Sequence, residues 1–361
     1  MDLAIIGLER SGKTTVFNAV TRGHAQTGTF GATEPNIGVV KVPDERLDRV
    51  CALLRPKKIT YAEARYLDFP GGLSVREGPE GALLAALAQS DALVHVVRAF
   101  RSPSVPHPES TVDPDRDIAG VNLELAFADA RTFEKRVERL EAEVRSGKAG
   151  ERGPGERELA LVQRLKEALA AEQPLRSQEL SADERRTLSG YQLLTDKPLL
   201  LVINIDEADV GRREEIEAEF ESRWAAPGVS VAALCGTLEQ ELTELSDDEA
   251  AAFRADLGMV QGGLERMLQL SQRALGLISM FTVGDTEGRA WAVPEGSTAQ
   301  KAAGKIHSDI ERGFIRAEVI GWQEMEQCGS WPEARKRGLI RTEGKGYLVQ
   351  DGEIVNVLFN V

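Results

Sequence analysis

Six short runs rich in Val, Ile and Leu, at residues 3–6, 37–42, 64–69, 92–97, 199–204 and 229–233, alternate along the chain with stretches of helical periodicity. Apolar runs of strand length separated by helices predict an α/β protein with a mostly parallel, doubly wound sheet. About a hundred residues separate the run ending at Val97 from the one starting at Leu199, far more than an αβ connection needs, so a further element is inserted there. Within it, Leu123, Ala126, Ala130, Phe133, Val137, Leu140 and Val144 follow the alternating three-and-four spacing of a coiled-coil seam. Breakers over 147–155 and a second stripe of Leu159, Val162, Leu165 and Leu169 fold the insert back into an antiparallel helical arm. Beyond Leu277 the strand-like runs shorten, at 278–283, 290–293, 314–319, 347–349 and 354–359, around one helix expected over 298–310. The expected organisation is a first module of 1–113 and 195–277, an arm of 114–194, and a small α+β domain of 278–361.

Charge changes this picture in one respect. The 361 residues carry 44 Lys and Arg against 58 Asp and Glu, a net −14, which argues against binding naked nucleic acid by charge alone. The acidity is uneven: residues 1–277 hold −12 and 278–361 only −2, while 131–157 near the arm's tip hold a +2 excess. That excess reads either as a solvated charged face or as a local patch for a polyanionic partner. Cys51, Cys235 and Cys328 stand far apart, with neither zinc spacing nor a disulfide framework. With no membrane-length apolar run and no signal-like start, a cytoplasmic, monomeric protein with no membrane partner is expected.

The chemistry enters at Gly7-Leu8-Glu9-Arg10-Ser11-Gly12-Lys13-Thr14, a G-x-x-x-x-G-K-[ST] sequence placed directly after the first strand and before a helix over 14–20. There the glycines turn backbone N–H groups onto phosphate oxygens, with Arg10, Ser11 and Thr15 completing the lining. Lys13 reaches the β and γ phosphates, and the Thr14 hydroxyl ligates Mg²⁺. A second acid is then required at the end of a neighbouring strand to hold the metal's water shell, and Asp68 in Asp68-Phe69-Pro70-Gly71 stands there. Gly71 would offer its N–H to the γ phosphate. Thr33, with Thr29 in reserve, is the candidate to complete the Mg²⁺ shell from the loop before the second strand. At the end of the fifth strand, Asn204-Ile205-Asp206-Glu207 occupies the place of the guanine-reading N-K-x-D. The longer Glu207 displaces the carboxylate that would pair with guanine while Asn204 can meet a purine edge, so ATP is favoured and GTP is the alternative.

Together with residues 34–40 (Glu-Pro-Asn-Ile-Gly-Val-Val), 90–98 (Ser-Asp-Ala-Leu-Val-His-Val-Val-Arg) and 309–319 (Asp-Ile-Glu-Arg-Gly-Phe-Ile-Arg-Ala-Glu-Val), these motifs resemble the YchF family of Obg-like ATPases over essentially the whole chain. The resemblance implies a P-loop domain with an inserted arm and a carboxy-terminal TGS domain of β-grasp type. It also implies ATP preference through Asn204 and Glu207, slow hydrolysis, and association with ribosomes or a ribosomal subunit, with the TGS domain and arm facing RNA. Three departures stand out. Arg10 replaces the asparagine the family associates with potassium-stimulated hydrolysis, so K⁺ dependence is not implied; Arg10 is either a counter-charge over the phosphates or a loop cation. The threonine of Thr-Ile-Glu-Pro-Asn is moved by one position to Thr33. The Asp-Ile-Ala-Gly-Leu segment becomes Asp68-Phe69-Pro70-Gly71-Gly72; like the family it resembles, the chain has no glutamine there to orient water, so low intrinsic turnover is expected, with vestigial hydrolysis as the alternative.

Overall fold

The computed structural model describes all residues except 24, 26–34, 72, 74–80, 147–151, 258–261 and 361, and the side chains of 82, 152 and 247. The chain opens with β1 (Asp2–Ile6), α1 (Lys13–Thr21), β2 (Asn36–Val42), α2 (Glu45–Leu54), β3 (Ile59–Thr60), β4 (Ala62–Asp68), α3 (Gly81–Gln89) and β5 (Ala92–Arg98). The insert supplies α4 (Pro114–Ser146), α5 (Arg152–Ala170) and α6 (Ala182–Leu188). The chain returns through β6 (Leu199–Asn204), α7 (Arg213–Trp224), β7 (Val229–Leu234), α8 (Gly236–Leu242), α9 (Asp247–Asp256) and α10 (Gly263–Ala274). It ends with β8 (Leu277–Val283), β9 (Gly288–Pro294), α11 (Ala299–Ile306), α12 (Ser308–Arg312), β10 (Phe314–Gly321), α13 (Trp322–Cys328), α14 (Trp331–Lys336), β11 (Arg341–Glu343) and β12 (Glu353–Phe359).

Two compact units result. The first, Met1–Val39 with Arg65–Ala274, is built on a sheet of order β2-β4-β1-β5-β6-β7 in which β1 runs parallel to β4 and β5, β5 to β6, and β6 to β7. Every residue of β5 and β6 is buried, because helices cover both faces; their sequences are therefore mostly apolar runs rather than alternating ones, broken by His95 and the terminal Arg98 and Asn204. A doubly wound sheet gathers the loops at the carboxyl ends of its strands, and the Gly7–Thr14 loop lies at that edge after β1.

The arm belongs to this unit. In α4 the first turns pack on the sheet through Ile118, Val121, Leu125 and Ala128, and only from Ala126 onward does a separate core form, of Ala126, Phe133 and Leu140 with Val162, Leu165 and Leu169 of α5. Leu123, expected in the seam, falls between these faces and is half-buried, since the same helix must change partners along its length. The breaker sequence also behaves differently: Gly153, Pro154 and Gly155 lie inside the start of α5, where a proline costs no hydrogen bond because those N–H groups have no intrahelical acceptor. Where the arm rejoins the sheet, buried Asp129 on α4 accepts from the Leu194 N–H (2.8 Å), the Thr195 N–H (2.8 Å) and the Thr195 hydroxyl (2.6 Å).

The second unit, Val40–Ala64 with Leu275–Val361, has the sheet order β11-β10-β12-β8-β9-β3. Its β8–β9 hairpin, the α11 crossing and the parallel pairing of β12 with β8 form a β-grasp. One face carries α11, with Ala299, Ala302 and Ala303 on Met280, Phe314 and Val355. The other carries α2, whose Leu47 and Val50 pack with Met325 and Ala334 on Phe281, Ile320 and Ile354. Residues 40–64, read from the sequence as part of the first module, are thus built into the carboxy-terminal unit: the grasp sheet has a second apolar face that its own helices do not cover alone. The helix expected over 298–310 breaks at His307, and 347–349 forms only a bridge from Leu348 to Thr298 rather than a strand.

Candidate nucleotide-binding site

The loop from Gly7 to Thr14 is shaped by close approach. A Cβ on Gly7 would lie 2.4 Å from the Val96 carbonyl oxygen, and one on Gly12 would lie 2.2 Å from the Asn204 amide nitrogen. Both glycines have positive φ, 146° and 92°, so any side chain there is excluded twice over. Lys13 is buried and donates to the carbonyl oxygens of Gly7 (3.3 Å) and Leu8 (2.9 Å). Burial pulls its ammonium down to about 8, against the opposing pull of Asp68 and Glu9. A lysine so placed gains from any anion brought into the loop.

Thr14, in the first turn of α1, donates from its hydroxyl to Asp68 Oδ2 at 2.9 Å, and the Asn36 amide donates to the same oxygen at 3.3 Å. Asp68 Oδ1 is buried without a hydrogen-bond partner. Burial raises the Asp68 carboxyl above its ordinary range, with the bonds from Thr14 and Asn36 and the charge of Lys13 opposing. A hydroxyl and a carboxylate side by side, with one carboxylate oxygen unmatched, form the oxygen donor set that suits Mg²⁺ and its bound waters. Ser11 Oγ and both ring nitrogens of His95 are likewise buried and unmatched, and His95, held neutral by burial with its acidity near 3, lies in the field of Lys13. Unpaired buried polar atoms are rare enough that this gathering around Lys13 marks a site made for something polar.

The sequence puts Asn204 at the purine edge. Its amide braces the site from within, donating to the Ser11 carbonyl (3.0 Å) and accepting from the Gly236 N–H (3.0 Å), so it ties the phosphate loop to the start of α8 after β7. Glu207 is exposed at the start of a 3₁₀ turn (Glu207–Arg212), with no partner among the described residues, and the neighbouring Asp206 accepts from the Arg101 N–H at 2.9 Å. Arg10 adopts a left-handed φ of 61° and sends its guanidinium to the Pro106 carbonyl (3.2 Å), at the surface. Thr15 is half-buried on α1, and Gly71 is exposed with φ 83° just past Asp68. Thr29, Thr33 and Gly72 lie outside the described residues.

Three residues that sequence reasoning left without a role complete the site. Asn36 joins the Asp68 carboxylate. Gly236 receives Asn204, and a Cβ there would sit 3.2 Å from the Asn204 amide oxygen. Arg98, buried at the end of β5, donates to the carbonyls of Phe100 (3.2 Å), Val105 (2.7 Å) and Arg10 (3.4 Å) and lies over the Phe100 ring. A cation closing an otherwise apolar strand was the signal available for it.

A phosphate loop on a doubly wound sheet, a paired hydroxyl and carboxylate, and an Asn-x-x-Glu at the base-side loop define a P-loop nucleoside triphosphatase. The comparisons carry this to a family. A model named YchF-GTPase_C, described as "Protein of unknown function (DUF933)", matches residues 277–360. The chain is 38% identical to the ribosome-binding ATPase YchF of Bacillus subtilis and 34% identical to that of Escherichia coli O157:H7, in each case over 99% of this chain and 98% of the relative. The solved structure of the Schizosaccharomyces pombe YchF GTPase superposes with a TM-score of 0.86 at 29% identity, covering 99% of this chain and 97% of that one. The chain belongs to the YchF family.

Proposed function

We propose that this protein binds ATP with Mg²⁺, hydrolyses it slowly, and uses the bound nucleotide to set its affinity for the ribosome, acting as a cytoplasmic monomer. The observation that carries the nucleotide reading is the contact of Thr14 Oγ1 with Asp68 Oδ2 beside an unmatched Oδ1 and a buried Lys13. Thr14 and Asp68 are the residues that would hold Mg²⁺, which when bound would supply neutralisation of the charge that develops on the transferring group. Lys13 would exchange its carbonyl partners for phosphate oxygens, while Thr14 and Asp68 hold the metal's oxygens in place. Asn204 keeps the loop in register, and the longer side chain of Glu207, which displaces the carboxylate that would pair with guanine, supports ATP over GTP. Association with ribosomes rests on the relatives of Bacillus subtilis and Escherichia coli, which are ribosome-binding ATPases. RNA contact through the arm and the β-grasp domain is part of the same proposal.

Phosphate release under multiple turnover with ATP or GTP, alongside a Lys13→Ala control, tests the enzyme reading. ATP should turn over faster than GTP, and faster than either does in the control. A rate no greater than the control's sinks hydrolysis and leaves a nucleotide-gated binding protein. Sedimentation with ribosomal subunits in the ATP and ADP states tests the partner; failure to pellet in both states removes it.

A further inference from the structure

In the distal half of α4, Thr132, Lys135, Arg136 and Arg139 share one helix face, while Phe133, Val137 and Leu140 turn to the arm's core. That polar face, Glu158 of α5 and residues 187–191 at the end of α6 border a cavity of about 540 Å³ that is open to solvent. One wall is fixed. Arg136 donates to both oxygens of Glu158 (2.9 and 3.0 Å) and to the Tyr191 hydroxyl (3.2 Å), and the Tyr191 hydroxyl in turn donates to Glu158. The Tyr191 ring is set edge-on to Phe133, with centroids 6.0 Å apart.

The other two cations are uncommitted. Lys135 and Arg139, both exposed, line the cavity and have no hydrogen-bond or ion-pair partner among the described residues. Of the nearby carboxylates outside the lining, Glu134 pairs with Lys166 at 3.0 Å and Glu143 with the fixed Arg136 at 3.5 Å, so neither engages Lys135 or Arg139. With Glu158 the one acid in the lining, the cavity is net positive on a chain of net charge −14. We propose that this cavity is a phosphodiester clamp, in which Lys135 and Arg139 hold the backbone of a single RNA strand against the Arg136–Glu158–Tyr191 wall.

The lining favours backbone over base. The hydroxyl of the one aromatic side chain in the lining, Tyr191, is occupied by Glu158, while two free cations one helical turn apart read charge. The proposal rests on the ribosomal reading for the source of the RNA, and it replaces the diffuse +2 excess of the arm with two named side chains.

The test uses the full chain and a short labelled single-stranded RNA, titrated over a salt series, for wild type, Lys135→Ala/Arg139→Ala and Arg139→Lys. The double variant should weaken binding and flatten the slope of log affinity against log salt by about 1.4, roughly 0.7 for each phosphate left without its cation. Arg139→Lys should keep the wild-type slope, and ATP affinity should stay constant throughout. An unchanged slope in the double variant, or a wild type that binds no RNA, overturns the clamp. Weakened binding to ribosomes with an unchanged salt slope also overturns it, assigning the face to a protein partner. Ribosome sedimentation separates the two readings: a wild type that pellets while the RNA slope ignores the substitutions defeats the clamp alone. A slope that responds in a protein that never pellets defeats the ribosomal partner alone.

Discussion

On the proposed function, Lys13 converts burial into ligand affinity. In the free protein its ammonium sits near 8, because burial disfavours the charge more than Asp68 and Glu9 restore it. A bound phosphate adds negative charge beside it and raises that value, so binding takes up a proton wherever the free lysine is already neutral. The sign follows: affinity should be level below about pH 8 and fall as pH rises through the free lysine's value. Calorimetric titration with a non-hydrolysable ATP analogue from about pH 7 to about pH 9.5, in buffers of different ionisation enthalpy, should show proton uptake growing with pH; uptake that does not change with pH refutes it. Asp68 is a second case, since its unmatched oxygen is costly unless a metal's water meets it.

Elements hold these residues in place, and the decisive joint is where the arm returns. The root of the insert is held by the packing of Ile118, Val121 and Leu125 on the sheet and by Asp129, which satisfies two backbone N–H groups and a hydroxyl of residues 194 and 195 just before β6. Because that carboxylate is buried, Asp129→Asn replaces an acceptor with a donor facing backbone donors. Urea denaturation should show a loss of about 2–4 kcal/mol, the range for leaving two or so buried groups unpaired. A loss under about 0.5 kcal/mol, the scale of an ordinary surface substitution, would mean the joint is solvated and the arm's root mobile. The 3-4 spacing of the arm is legible without a structure; that its first turns serve the sheet and not the seam is not, since Ile118, Val121 and Leu125 satisfy the same apolar pattern whichever partner they meet.

For the whole molecule, the division into two units has a consequence for what can fold alone. The grasp sheet buries Leu47, Val50 and Ala62 from the amino-terminal half, and α2 is clamped by Arg49 on Glu326 and by Arg46 on Asp351. Burying a Leu or Val side chain contributes about 1.5–3 kcal/mol, so losing both from a small domain removes much of an ordinary stability margin. A fragment of 275–361 by itself should show poorly dispersed amide resonances, and the same fragment joined to 40–64 should show a folded spectrum. Dispersed resonances from the first fragment would show that α2 is dispensable.

The sequence by itself determined the class of the fold, the phosphate loop and the family, because each is local: a strand, a turn and a helix start are set by neighbours a few residues apart, and so are Lys13, Thr14 and the acid of Asp68. It also exposed the arm through periodicity. Only the tertiary structure decided that Asn204 braces the loop, that Arg98 and Asn36 join the site, and that residues 40–64 complete the far domain. These depend on which surfaces meet across tens or hundreds of residues. An apolar face or a buried amide records that it needs a partner, and the fold alone says which one it has.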